Sequence, residues 1–152
     1  MNTIASIETS HREERVRFHG HGANPARAPV SARPQGHTLY SHVVVASGSS
    51  LVFIAGQLSR DRDGQIVGPR DMARQIRQVG ENLAIALAAA GVGAEHLVKT
   101  TTYVTDIDEF FKYSEIRAEI FGQNLPTSTT VEVRRLAHPD LMVEIDAIAV
   151  KP

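Results

Sequence analysis

The clearest pattern in the chain is an alternation of apolar and polar residues near its C-terminal end. Residues 130–133 run Thr-Val-Glu-Val, and residues 143–147 run Val-Glu-Ile-Asp-Ala. A period of two is typical of β-strands, and it separates apolar and polar side chains onto opposite faces of a sheet. With a turn at residues 137–140, the two runs predict a β-hairpin in which Glu132 lies roughly opposite Glu144.

This hairpin would gather polar side chains on one face of the sheet, and its other face would be apolar and suit helices packed against it. Such a polar face is either solvated or forms the wall of a binding site. Its predicted members are Ser128, Thr130, Glu132, Glu144 and Asp146.

Two amphipathic helices are predicted ahead of this hairpin. In residues 69–90, apolar side chains recur at spacings of three and four, and Gly91 follows where a helix would end. Gly80 inside this helix costs about 1 kcal/mol relative to alanine, which indicates close packing there. The second helix is predicted over residues 108–121, with Gly122 at its end.

The remaining strands complete a mixed α/β domain. Residues 40–46 and 51–55 predict a hairpin, and residues 97–105 predict a central strand. Two helices can cover only one face of such a sheet. Burial of the other face by self-association is the economical solution, so we expect a homo-oligomer.

The N-terminal quarter of the chain has a different composition. Residues 1–39 are rich in Gly and Pro and show no sustained period, apart from a possible short edge strand at residues 15–18. We therefore predict an irregular arm followed by one domain over residues 40–152.

Charge and composition narrow the classes of function. The formal net charge is −1 and the chain has no cysteine, so we expect no nucleic-acid partner and no thiol chemistry. No apolar run reaches the roughly 18 residues that span a membrane, and the N-terminus lacks the pattern of a signal peptide. We expect a cytoplasmic protein without a membrane partner.

Four blocks of this sequence together resemble the RidA (YjgF/YER057c/UK114) family. They are residues 51–57, 98–106, 131–133 and 143–147, and the resemblance runs over residues 40–152. It implies a chorismate-mutase-like α/β fold, a mixed sheet with two helices on one face, and a homotrimer with sites in the clefts between subunits. It also implies hydrolysis of reactive enamines and imines to 2-oxo acids and ammonia, with a small-molecule substrate and neither a metal nor an organic cofactor.

The resemblance assigns roles to individual residues. Glu144 matches the family glutamate that positions or activates the hydrolytic water. Tyr40 matches the tyrosine near the start of the domain, and Gly56 and Gln57 match the backbone turn that approaches the substrate. Ser114 matches an asparagine that is often found on the second helix.

One departure from the family pattern bears on the substrate. The family arginine that clamps the substrate carboxylate matches Ser128 here, which can form hydrogen bonds together with Thr130 but carries no charge. We therefore expect weak or no activity on imino acids of the 2-aminoacrylate type. Arg117 and Arg134 are the candidates for an arginine supplied from elsewhere.

Three functions remain open at this point. The first is an imine or enamine hydrolase with a different substrate, and the second is a non-catalytic trimeric binder or regulator of small molecules. The third, RNA cleavage, is disfavoured by the charge balance. A metal site is not expected, because the histidines in and just after the arm have no carboxylate at ligand spacing; they are His19, His21, His37 and His42.

Overall fold

The computed structural model describes residues 17–18, 44–46, 48–122 and 125–152. Tyr40, the four histidines named above and all of the N-terminal arm except residues 17–18 lie outside this part of the chain. The predicted irregularity of the arm therefore stays a prediction.

The described part of the chain contains six strands, three α-helices and one short 3-10 helix at Ala94–His96. The strands are β1 (Arg17–Phe18), β2 (Val44–Val45), β3 (Ser50–Leu58), β4 (Leu97–Val104), β5 (Thr127–Glu132) and β6 (Val143–Lys151); the helices are α1 (Met72–Ala89), α2 (Ile107–Phe111) and α3 (Ser114–Phe121).

The sheet that carries the domain has four strands in the order β3-β6-β4-β5. β6 pairs antiparallel with both β3 and β4, and β4 pairs parallel with β5. The parallel step from β4 to β5 needs a crossover, which α2 and α3 provide. The central position predicted for residues 97–105 is confirmed, because β4 has a neighbour on each side.

The first predicted helix is confirmed as α1. Its N-terminus is capped by Asp71, whose side chain accepts a hydrogen bond from the Arg74 backbone N–H. Gly80 is tightly packed as expected, because a Cβ atom there would lie 2.6 Å from two atoms of Ile120. The apolar stripe is almost fully buried against the sheet; it consists of Ile76, Val79, Leu83 and Leu87.

The second predicted helix is divided into α2 and α3. Asp106 caps α2 by accepting from the Glu109 backbone N–H, and Gly122 ends α3 with a φ of +56°. The chain leaves the helical conformation at Tyr113, whose hydroxyl donates to Glu109. No glycine or proline marks this break, so the sequence pattern did not predict it.

The predicted C-terminal hairpin is wrong. β5 and β6 are separated by β4, and Glu132 pairs with Val104 whereas Glu144 pairs with Tyr103. Residues paired across strands share a face, so neighbouring Val104 and Tyr103 place the two glutamates on opposite faces of the sheet. The alternation within each run was correct, but it specifies neither the partner strand nor the register.

The predicted hairpin over residues 40–55 is also not found in the described part of the chain. β2 pairs antiparallel with β1, whereas β3 pairs antiparallel with β6. The strand predicted within residues 15–18 is present as Arg17–Phe18.

The two faces of the sheet differ in what covers them. The helices pack on one face, here called the helix face, where Val104, Val143 and Ile145 are buried. The opposite, open face exposes Phe53 by 73% and Leu51 by 63%. As predicted, the helices cover one face only. No helix in the described residues is long and apolar enough to cross a membrane.

Candidate functional site

Glu144 lies on the open face, at the side of an open cavity of about 410 Å³. This size is within the range of small-molecule sites. We call it the Glu144 cavity. It is lined by Gly56, Tyr103, Val133, Arg135, Leu136, Ala137, Glu144 and Asp146.

A β-bulge brings the backbone of β3 under the Glu144 carboxylate. The register between β3 and β6 shifts between Ile54 and Gln57. A Cβ atom on Gly56 would lie 2.8 Å from Cδ of Glu144 and 3.0 Å from its Cγ. Only glycine leaves room for the carboxylate at this position. The Gln57 side chain donates to the Ala55 carbonyl oxygen at 2.9 Å, so it is engaged with the bulge itself.

A second carboxylate shapes the electrostatics of the cavity. The Tyr103 hydroxyl donates to Oδ2 of Asp146 at 3.0 Å, and this hydrogen bond and the negative charge of Asp146 raise the pKa of Tyr103. Burial, followed by the charge of Asp146, raises the pKa of Glu144. Glu144 therefore retains a proton to higher pH than an ordinary glutamate, which suits a group that exchanges protons with a bound water.

Ser128 and Thr130 lie on the helix face, not on the face of Glu144. Their pairing partners are Thr100 and Thr102, which are fully buried there. The Ser128 hydroxyl oxygen accepts hydrogen bonds from Thr100 Oγ1 at 3.2 Å and from Arg117 Nη2 at 2.5 Å. Within one chain, the structure does not bring Ser128 and Thr130 together with Glu144, and the predicted shared polar face is wrong.

Of the two arginines predicted as alternative anion clamps, Arg117 is buried and Arg134 is exposed. Arg117 is 5% exposed, and its guanidinium stacks over the Phe121 ring at 5.6 Å. Arg134 is exposed and does not line the Glu144 cavity. Ser114 is the first residue of α3 and also lies outside the cavity lining.

Five residues that line the cavity were not predicted from the sequence, and two of them, Tyr103 and Arg135, are polar. Tyr103 could have been found from the alternation of the central strand, since it follows Thr101 at a spacing of two. Arg135 follows the end of β5 and had no periodic signal. Glu132 instead has a structural role, because its carboxylate accepts a hydrogen bond from the Ile107 backbone N–H at 2.9 Å.

Among the described residues, no three His, Asp or Glu side chains are grouped so that they could hold a metal ion.

Comparison with known proteins gives consistent matches over most of the chain. The family model described as endoribonuclease L-PSP matches residues 30–151. A RutC family protein of Pyrococcus horikoshii is 42% identical over 113 residues, which cover 74% of this chain and 86% of the relative.

Two further proteins are similar to this chain: one is a relative with a named activity, and the other is a protein of solved structure. The 2-iminobutanoate/2-iminopropanoate deaminase of Rattus norvegicus is 34% identical over 123 residues, or 80% of this chain and 87% of the relative. The crystal structure of a conserved Rid family protein of unknown function from Yersinia pestis superposes with a TM-score of 0.68 at 31% identity, covering 73% of this chain and 86% of that one.

Proposed function

Since the chain belongs to the RidA (YjgF/YER057c/UK114) family, we propose that it hydrolyses an imine or enamine and releases ammonia. The observation that carries this proposal is the Glu144 carboxylate, held over Gly56 at the side of a cavity of about 410 Å³. A carboxyl group with a raised pKa beside room for a ligand is suited to acid–base work on a bound water.

In the proposed reaction, water adds to the carbon of a protonated C=N bond. As the water oxygen bonds to the imine carbon, Glu144 accepts a proton from the water, and the π electron pair of the C=N bond moves to nitrogen. The resulting carbinolamine loses ammonia when Glu144 returns the proton to nitrogen and the C–N bond breaks. The hydroxyl oxygen forms the C=O bond as its proton passes to the Glu144 carboxylate, and ammonia then takes up this proton. The products are a carbonyl compound and ammonia, and the step needs no redox partner.

We further propose a homotrimer in which the site is completed at the junction between subunits. Ser128 and Thr130 lie on β5 at the edge of the sheet, on the face opposite Glu144. If these residues contact the substrate, they do so from a neighbouring subunit. The exposed apolar side chains of Leu51 and Phe53 support burial of the open face against other copies of the chain.

The proposed substrate differs from imino acids of the 2-aminoacrylate type. Ser128 supplies one uncharged hydroxyl where the family arginine would supply a guanidinium. That hydroxyl already accepts hydrogen bonds from Arg117 and Thr100. Recognition of a carboxylate next to the C=N carbon therefore lacks its usual partner at position 128.

The test is a coupled assay of ammonia release. Wild type, Glu144→Gln and Ser128→Arg are compared on freshly generated 2-iminobutanoate and on imines with larger carbon skeletons. We expect wild type to prefer a larger imine, Glu144→Gln to lose at least about 100-fold in kcat, and Ser128→Arg to gain activity on 2-iminobutanoate. Unchanged kcat in Glu144→Gln, with the protein folded, would remove Glu144 from the mechanism.

The alternative function is a non-catalytic binder that uses the same cavity. It is favoured by the loss of the arginine at position 128. A binder would raise the unfolding temperature in the presence of its ligand without consuming it.

Nuclease activity, which the description of the matching family model names, is less consistent with this site. Two carboxylates, Glu144 and Asp146, line the cavity, and the formal net charge of the chain is −1. Both features disfavour a backbone that carries many phosphate charges.

A further inference from the structure

Arg135 is the only cationic residue among the described residues that line the Glu144 cavity. It follows β5 at the point where the chain turns back toward β6, and Val133, Leu136 and Ala137 of the same segment also line the cavity. The segment that connects β5 to β6 therefore forms one wall of the cavity, and Glu144 with Gly56 forms another.

The guanidinium of Arg135 forms no ion pair with the carboxylates in the described part of its own chain. No described carboxylate lies within ion-pair distance of it, although Glu144 and Asp146 line the same cavity. Asp146 instead accepts a hydrogen bond from the Tyr103 hydroxyl. An exposed arginine beside a cavity, without an internal ion pair, retains its donors for an anionic ligand.

The other two arginines considered for this role are less suitable. Arg117 is buried on the helix face and donates to Ser128, so the sheet separates it from Glu144. Arg134 is adjacent to Arg135 in sequence but does not line the cavity.

The geometry points to Arg135 as the residue that binds the anionic group of the substrate in the Glu144 cavity. This inference rests on the proposed function and narrows its substrate class to imines or enamines that carry a carboxylate. The carboxylate is held from the segment after β5, and the reacting carbon lies near Glu144 on β6. Arg135 and Glu144 line the cavity from different segments of the chain, so a substrate whose carboxylate is separated from its C=N carbon can contact both.

The test uses stable oxo acids, which resemble the carbonyl product. The probes are 2-oxopentanoate, 4-oxopentanoate and the uncharged methyl ester of 4-oxopentanoate, titrated into the full-length protein and followed by NMR or calorimetry. We expect at least one of the two acids to bind to wild type, and Arg135→Gln to weaken that binding about tenfold or more, as expected for loss of a charged hydrogen bond. Binding of the ester should be the same in both proteins.

Two further variants serve as controls. Arg134→Gln removes an equal charge from the neighbouring residue outside the cavity and should leave the affinity for the acids within about twofold. Arg135→Lys keeps the charge but loses the planar pair of donors, so it should fall between wild type and Arg135→Gln. Equal weakening by Arg134→Gln and Arg135→Gln would indicate a general charge effect and overturn the assignment, as would failure of both acids to bind to wild type.

Failure of this inference and failure of the proposed function give different results. If wild type releases ammonia from an anionic imine and Arg135→Gln does so with the same KM, the inference is wrong and the hydrolase stands. If the acids bind through Arg135 but no imine is hydrolysed, the inference stands and the non-catalytic alternative is correct.

Discussion

At the scale of single residues, the position of Glu144 depends on the absence of a side chain at Gly56. The bulge in β3 places Gly56 so close that any Cβ would overlap the carboxylate of Glu144. The overlapping atoms are the far end of a side chain that can rotate away. A larger residue at position 56 would therefore displace the carboxylate rather than disrupt the sheet.

Gly56→Ala should consequently affect activity more than stability. We expect ammonia release to fall about tenfold or more, while the free energy of unfolding changes by less than about 1 kcal/mol. Assays of ammonia release measure the change in activity, and denaturant unfolding measures the change in the free energy of unfolding. Because both changes act through the same carboxylate, the double variant with Glu144→Gln should be no less active than Glu144→Gln alone. Additive losses would mean that Gly56 acts independently of Glu144.

The raised pKa of Glu144 predicts a pH-dependent effect on stability. Its ordinary pKa is 4.5 and its folded value is higher because of burial and Asp146, so between these two values the folded state binds more protons than the unfolded state. Glu144 therefore lowers the free energy of unfolding increasingly as pH rises through this window. Glu144→Gln, compared with wild type by denaturant unfolding, should become relatively more stable from pH 4 to pH 7. A difference that is constant with pH would contradict the shift.

Part of the site could be predicted at this scale and part could not. The resemblance and the alternation of residues 143–147 were sufficient to select Glu144 and Gly56, which the structure brings into contact. Ser128 was assigned to the same face because its polarity matched, but a match in polarity does not determine which face of a sheet a strand presents. Arg135 lies beyond the end of β5, where no period relates it to the cavity.

At the scale of elements, the start of β6 is held by a buried side chain of α1. Gln75 is fully buried; its Nε2 donates to the carbonyl oxygens of Gly68 and Asp140, and its Oε1 accepts from the Met142 backbone N–H. These three bonds fix the segment that leads into Glu144, two residues after Met142. A buried polar residue beside the apolar stripe of α1 therefore has a structural function.

Gln75→Leu should destabilise the fold, because the Met142 N–H would lose its hydrogen bond to Gln75. The carbonyl oxygens of Gly68 and Asp140 would each keep only the bond that they accept from a backbone N–H. We expect a loss of about 2–4 kcal/mol in the free energy of unfolding, measured by denaturant titration. Gln78→Leu is the matched control on the same helix, since its half-buried side chain donates to Asn82 alone. It should cost less than about 1 kcal/mol. Equal losses in the two variants would contradict the tethering role of Gln75.

The elements themselves were predictable wherever local pattern determines them. α1 follows from the period of its apolar residues, and β4 follows from its run of β-branched residues. The order of the strands in the sheet could not be predicted from local pattern. β6 lies between β3 and β4, although β5 precedes it in the chain. The strand order depends on long-range packing. β6 is hydrogen-bonded to a neighbouring strand on each side, and this position brings its apolar residues into the core beneath α1.

At the scale of the whole molecule, the open face of the sheet exposes large apolar side chains, which is unfavourable for a monomer in water. Phe53 and Leu51 protrude from β3 on this face, and Val131 on β5 is also exposed. They flank the carboxylates of Glu144 and Asp146, so a partner that covers them would also restrict access of water to the Glu144 cavity. We therefore expect assembly and activity to depend on the same surface.

Phe53→Lys should dissociate the proposed trimer, because it places a charge where an apolar side chain would be buried. Light scattering should show wild type at three times the mass of one chain and the variant at a lower mass, with ammonia release reduced in parallel. Ile85→Lys is the control: Ile85 is 68% exposed on α1, away from the open face, so its substitution should change neither mass nor activity. A wild-type mass equal to one chain would refute the trimer. A dissociated variant with full activity would instead show that one chain contains the complete site and that Ser128 and Thr130 take no part in it.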